Sequence, residues 1–142
     1  MKPGQALFFQ VDNRQVKKTE PVACYDKPIY GSYLSRDDLQ AHTYMLGGYH
    51  VDTCEEATEV LDKYSSFGSA DHLASRLFSA KLHEQYGLNG CQQAQTAMQE
   101  TQTMLEQSGY SRYGYQPSNW SHWDASRLLN DLDKYIAGYM CR

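Results

Sequence analysis

The sequence predicts a mainly α-helical protein: a bundle of four or five helices preceded by an irregular or extended N-terminal segment. Three observations predict it. Ala125, Leu128, Leu129, Leu132, Tyr135 and Ile136 recur at the three- and four-residue steps of one helix face. Leu73, Leu77 and Ala80 draw a second stripe, widened by Ala74, Phe78 and the aliphatic stem of Lys81. Between such stripes the chain is punctuated by Gly47-Gly48, Gly68, Gly87, Gly109 and Gly138, which read as helix breaks and stops.

Residues 1–34 are expected to be irregular or extended and to pack on a bundle formed by residues 35–142, the whole making one domain. Ala6 to Val11 has the composition of a short strand, but Pro3, Pro21 and Pro28 discourage regular structure around it. Tyr25 to Tyr33 reads as an aromatic loop. A first helix is predicted from Ser35, with Asp38 completing a cap-like pair, to about Leu46. Thr53 and Glu56 then have the spacing of a capping box, and Ala57, Val60, Leu61 and Tyr64 follow on one face. Ser69 is placed to cap the next helix. Asn89 is placed to cap another, in which Cys91, Ala94, Met98, Thr101 and Leu105 form the apolar stripe and Gly109 the stop. A loop rich in tyrosine leads to the last helix.

With 142 residues, 41% of them hydrophobic, the chain is long enough to bury a core without help. A net charge of -4 gives no broad attraction for phosphate backbones, so nucleic acid is disfavoured as a partner. Asp52, Glu55, Glu56, Glu59 and Asp62 read as a solvated helix face, with its acid gathered near the N-terminus where the helix dipole favours it. No segment is long and apolar enough to cross a bilayer, and Ala6-Leu7-Phe8-Phe9 is too short for a signal-peptide core.

Cys24, Cys54, Cys91 and Cys141 match neither zinc-ligand nor Cys-x-x-Cys spacing. If the helices starting near residues 53, 69 and 90 run up, down and up, Cys54 and Cys91 begin helices at the same end. A Cys54–Cys91 bridge there would remove loop entropy worth about 4 kcal/mol. Cys24 and Cys141 would then pair, tying the N-terminal segment to the end of the last helix. Both pairings require an exported protein; free thiols fit a cytosolic one.

Nothing in the sequence assembles an active site. The five histidines, His42, His50, His72, His83 and His122, lack chelating spacing, and Asp131 and Asp133 point in different directions on a helix. No Walker loop, dinucleotide fingerprint, HExxH or G-x-S-x-G motif is present, so the reading is not an enzyme, with no cofactor and no metal. Two surfaces stand out instead. Tyr110, Tyr113, Tyr115, Trp120 and Trp123 fall close together with Arg112, and such rings anchor protein interfaces or stack on glycans. Gln92, Gln95, Gln99 and Gln102 give the helix after Leu88 an uncharged polar face able to pair with a copy of itself.

Leu46-Gly47-Gly48, Ala80-Lys81-Leu82 and Leu132-Asp133-Lys134-Tyr135 occur in the order found in a helical module of secreted and surface-displayed bacterial and archaeal proteins, which the chain resembles over roughly residues 31–138. The module's tryptophan-histidine-proline opening is absent from Gly31-Ser32-Tyr33-Leu34, and His83 and Ile136 replace two of its asparagines. The resemblance implies an extracellular, noncatalytic module that acts in surface assembly or adhesion, through a protein partner or self-association. The alternative is a small intracellular acidic protein that binds and inhibits or regulates a protein partner, as phage inhibitors do. The absence of a signal peptide points that way.

Overall fold

A computed structural model describes residues 24–25, 33–42, 44–62, 69–86, 90–112, 114, 115, 117 and 120–141. The fold over these residues is mainly helical. The five helices are α1 (Arg36–His42), α2 (Cys54–Asp62), α3 (Ser69–Gln85), α4 (Gln92–Ser108) and α5 (His122–Ile136). Between α1 and α2 runs a small hairpin of β1 (Tyr44–Leu46) and β2 (Tyr49–Val51). The expected strand at 6–11, most of the segment 1–34, Gly68, Gly87, Asn89 and Tyr113 lie outside the described residues. No helix among the described residues is long and apolar enough to cross a membrane.

The first expected helix is shorter than predicted. Ser35 Oγ accepts the Asp38 N–H at 3.1 Å, as the cap-like spacing implied, but α1 stops at His42. Tyr44–Leu46 is a strand, antiparallel to β2 with Tyr44 opposite Val51, Met45 opposite His50 and Leu46 opposite Tyr49. Gly47-Gly48 is thus a hairpin turn and not simply a helix break. Gly47 has φ +65°, and a Cβ there would stand 2.9 Å from Leu105 Cβ and 3.0 Å from the Tyr110 carbonyl oxygen. Only glycine fits both the left-handed backbone and the close approach.

The caps follow the sequence signals with one shift. Thr53 Oγ1 accepts the Glu56 N–H at 3.1 Å, while Glu56 Oε1 reaches back to the Asp52 N–H, one residue before the expected partner. Ser121 caps α5 by accepting the Asp124 N–H at 3.2 Å. The N-cap of α4 is Cys91, which makes no side-chain cap bond. Gly109, at φ +83°, ends α4 with the paired bonds of a Schellman motif: its N–H goes to the Glu106 carbonyl, and that of Tyr110 to Leu105.

The core is organised around α3, which contacts α2, α4, α5 and β1. Ala70, Leu73, Ala74, Leu77, Phe78, Ala80 and Leu82 are all buried, covering more than half of the helix circumference. Neighbours on several sides demand that width, whereas α5 packs one stripe inward: Ala125, Leu128, Leu132 and Tyr135. Ala94, Ala97, Met98, Thr101 and Leu105 do the same for α4. Tyr44 meets Phe78 edge to face at 5.3 Å between ring centroids, seating β1 on α3.

Cys91 and Cys141 are joined, with their Cα atoms 5.4 Å apart. This corrects the expected Cys54–Cys91 and Cys24–Cys141 pairings. Cys91 starts α4 and Cys141 follows α5, and the bridge shows that these helices run antiparallel. The end of α5 therefore arrives beside the start of α4, and Cys141 occupies the place that a pairing based on α2 alone assigned to Cys54. Cys24 and Cys54 are unbridged and half-buried.

Candidate interaction site

One residue from each of the two surfaces singled out from the sequence, Gln99 and Trp120, lines a groove between α4 and α5. Its volume is about 470 Å³. Gln99, Thr103 and Met104 supply one wall from α4; Trp120, Arg127 and Leu128 supply the other from the start and first turns of α5. Antiparallel helices with small or polar side chains between them leave such a furrow. Arg127 spans it, reaching Glu100 at 3.4 Å and Asp131, one turn further along α5, at 3.8 Å. Both contacts are solvent-exposed and contribute little to stability, so they set the groove's charge pattern rather than its existence. Beside Arg127, at i, i+4 spacing, Trp123 is 80% exposed. An indole left this bare on a well-formed helix is a ready anchor for a second surface.

The aromatic cluster does not act as one surface. Tyr110 is fully buried, which corrects its assignment to the interface. The reason is a buried carboxylate. Asp71, in the first turn of α3, accepts the Tyr110 hydroxyl at 2.7 Å and the Gly114 N–H at 3.1 Å. A buried acid without such donors would be costly, so Tyr110 is drawn inward by the charge it satisfies. Tyr115 is half-buried, meets Tyr110 edge to face at 6.4 Å and donates to the Ser108 carbonyl at 3.2 Å. Arg112 stands over the Tyr115 ring, 5.8 Å from its centroid. Trp120 is half-buried in the groove wall, and among the described rings of this cluster only Trp123 is strongly exposed.

The glutamine face also divides. Gln102 is turned to the hairpin: Oε1 accepts the Gly47 N–H at 3.1 Å, Nε2 donates to the Gly47 carbonyl at 3.0 Å, and the same nitrogen reaches Glu106 at 2.9 Å. Gln95 donates to Glu84 across to α3. Gln99 reaches Thr103 at 3.4 Å and faces the groove, and Gln92 is exposed. Half of the face is therefore internal fastening. Groove residues that the sequence reading passed over include Thr103, Met104 and Arg127, while Leu128 was read there as part of the core stripe. The i, i+4 run Trp123, Arg127, Asp131 was the available signal for the α5 wall.

Several other polar groups have structural partners, while the buried hydroxyls of Tyr44 and Ser75 have no hydrogen-bond partner among the described residues. Lys81 donates to the Met45 carbonyl at 3.0 Å, and burial pushes its ammonium below its ordinary range. His83 Nδ1 lies 2.7 Å from the Ser79 carbonyl oxygen. Burial, then Arg76, lowers the pKa of His72. Asp133 is held by Arg76 at 2.7 Å, while Asp131 turns to Arg127, so the two carboxylates diverge. Among the described residues no three His, Cys, Asp or Glu side chains are grouped so as to hold a metal ion. A search of protein families, curated proteins and solved structures found none that matches this chain.

Proposed function

We propose that this protein is a noncatalytic module, displayed at a cell surface or outside the cell, that self-associates through the α4–α5 groove. The observation that carries the reading is Trp123, 80% exposed and one turn along α5 from Arg127, which lines a furrow of about 470 Å³ on the same molecule. A surface bearing both a projecting anchor and a receiving groove is self-complementary. Two copies related by a two-fold axis place each Trp123 in the other's groove, against Met104 and Leu128. The amides of Gln99 and Gln107 at the rim hydrogen-bond without adding charge, which suits pairing between two copies that each carry -4. The Cys91–Cys141 bridge supports an oxidising location, and the Leu-Gly-Gly, Ala-Lys-Leu and Leu-Asp-x-Tyr resemblance supports surface display.

Light scattering across a concentration series tests the association. The wild-type chain is expected to double in mass as concentration rises, with Trp123→Ala shifting the midpoint at least tenfold upward. A wild-type chain that stays monomeric throughout would refute self-association and leave the groove to a different protein.

A further inference from the structure

We propose that Cys24 and Cys54 form a second disulfide, made by thiol–disulfide exchange with a low-molecular-weight disulfide. The inference does not rest on the α4–α5 groove, and a chain that fails to associate can still close this bridge.

Two contacts lay the Cys24 segment along one stripe of α2. Cys54, Thr58 and Asp62 occur at i, i+4 and i+8, hence on one helix face. The Thr58 hydroxyl donates to the Cys24 carbonyl at 3.2 Å, and the Tyr25 hydroxyl donates to Asp62 Oδ1 at 2.7 Å. Residues 24 and 25 thus follow the stripe from its start toward its end, which leaves the Cys24 side chain at the Cys54 end. A third bond, from the Cys24 N–H to the Leu34 carbonyl at 2.8 Å, fixes the segment from the other side. Both cysteines face the same hollow.

The pair is also reachable. A hollow of about 470 Å³ opens beside it, lined by Cys24, Cys54, Glu55, Thr58, Glu59 and Asp62. Its acidic wall favours a cationic disulfide. Burial, then the Cys54 thiol and Asp38, push the Cys24 thiol up to about 12 against the opposing effect of Arg36. Cys24 therefore keeps its proton while Cys54 reacts first. Cys54 loses a proton to solvent and its sulfur attacks the external disulfide, releasing one small thiolate that takes up a proton and leaving a mixed disulfide. Cys24 then displaces the second small thiol, its own proton passing to the leaving sulfur. Two protein thiols are oxidised by two electrons in all, and one external disulfide is reduced to two thiols.

The full chain, purified without reductant, is exposed to cystamine, alkylated and digested with trypsin without reduction. The expected result is no alkylatable thiol and two linked pairs of peptides. Residues 19–36, carrying Cys24, are joined to 37–63, carrying Cys54, and residues 82–112 to 135–142 through Cys91 and Cys141. Two persisting thiols, two cysteamine adducts or any other connectivity would overturn the proposal. In Cys24→Ser the mixed disulfide has no resolving thiol, so one cysteamine is expected to remain on Cys54. An unmodified Cys54 there would overturn the assigned order.

Discussion

Gln102 fastens the hairpin turn to α4, beside the backbone bond from the Gly48 N–H to the Tyr110 carbonyl. Its side-chain amide acts as a substitute peptide, satisfying both the N–H and the carbonyl of Gly47 from a helix 55 positions away. Those turn groups are shielded by Leu105 and Tyr110, so their loss is not fully made good by water. Gln102→Ala is expected to lower unfolding stability by about 1–2 kcal/mol, read as a lower urea midpoint with an unchanged slope. An unchanged midpoint would mean that the turn holds itself. Asp71 shows the same logic inside the core, where its carboxylate is met by the Tyr110 hydroxyl and the Gly114 N–H. Neither role was legible in the sequence. A glutamine on a polar face and a tyrosine among tyrosines look exposed until their distant partners are known.

At the scale of elements, legibility followed the distance over which each signal acts. The α5 stripe from Ala125 to Tyr135 and its Gly138 stop are local, and the structure buries that stripe. The Thr53–Glu56 cap is local too, and it forms. The hairpin was hidden because Tyr44–Leu46 is only three residues long, and a short apolar run has no period of its own. What makes it a strand is the left-handed Gly47 seated on the end of α4. Gly47→Ala forces a side chain into that backbone and against Leu105, at a cost of about 2 kcal/mol in stability. Chemical denaturation would show it, and a loss well under 1 kcal/mol would mean the turn relaxes freely away from α4. The disulfide was misassigned for a related reason. Choosing partners for Cys91 required knowing where α5 ends, not only where the helices begin.

For the whole molecule, buried hydroxyls and a thiol make stability depend on alkaline pH. Burial raises the Tyr44 and Tyr135 phenols from 10.0 to about 12, and raises Tyr86 further still with help from its hydrogen bond to Asp38. Cys24, while unbridged, is raised from 9.0 to about 12. In each case the folded state holds a proton that the unfolded chain gives up, so stability is complete below these unfolded values and falls as pH climbs toward 12. Lys81, lowered by burial, acts in the opposite sense but is outnumbered. The urea midpoint is expected to drop between pH 9 and pH 11, and a flat profile would contradict the burial of these groups.

The same molecule that buries Tyr44, Tyr110 and Tyr135 leaves Trp123 bare on α5, next to the α4–α5 groove residue Arg127, and self-association is the account's central claim. Trp120→Phe leaves Trp123 as the single indole, because the chain has 2 tryptophans. Its fluorescence reports the environment of that ring alone. As concentration rises, the emission is expected to move to the blue, with the same midpoint as the rise in mass of this variant, because the ring enters a second molecule's groove. Emission that stays at the wavelength of a water-exposed indole while the mass doubles would contradict it.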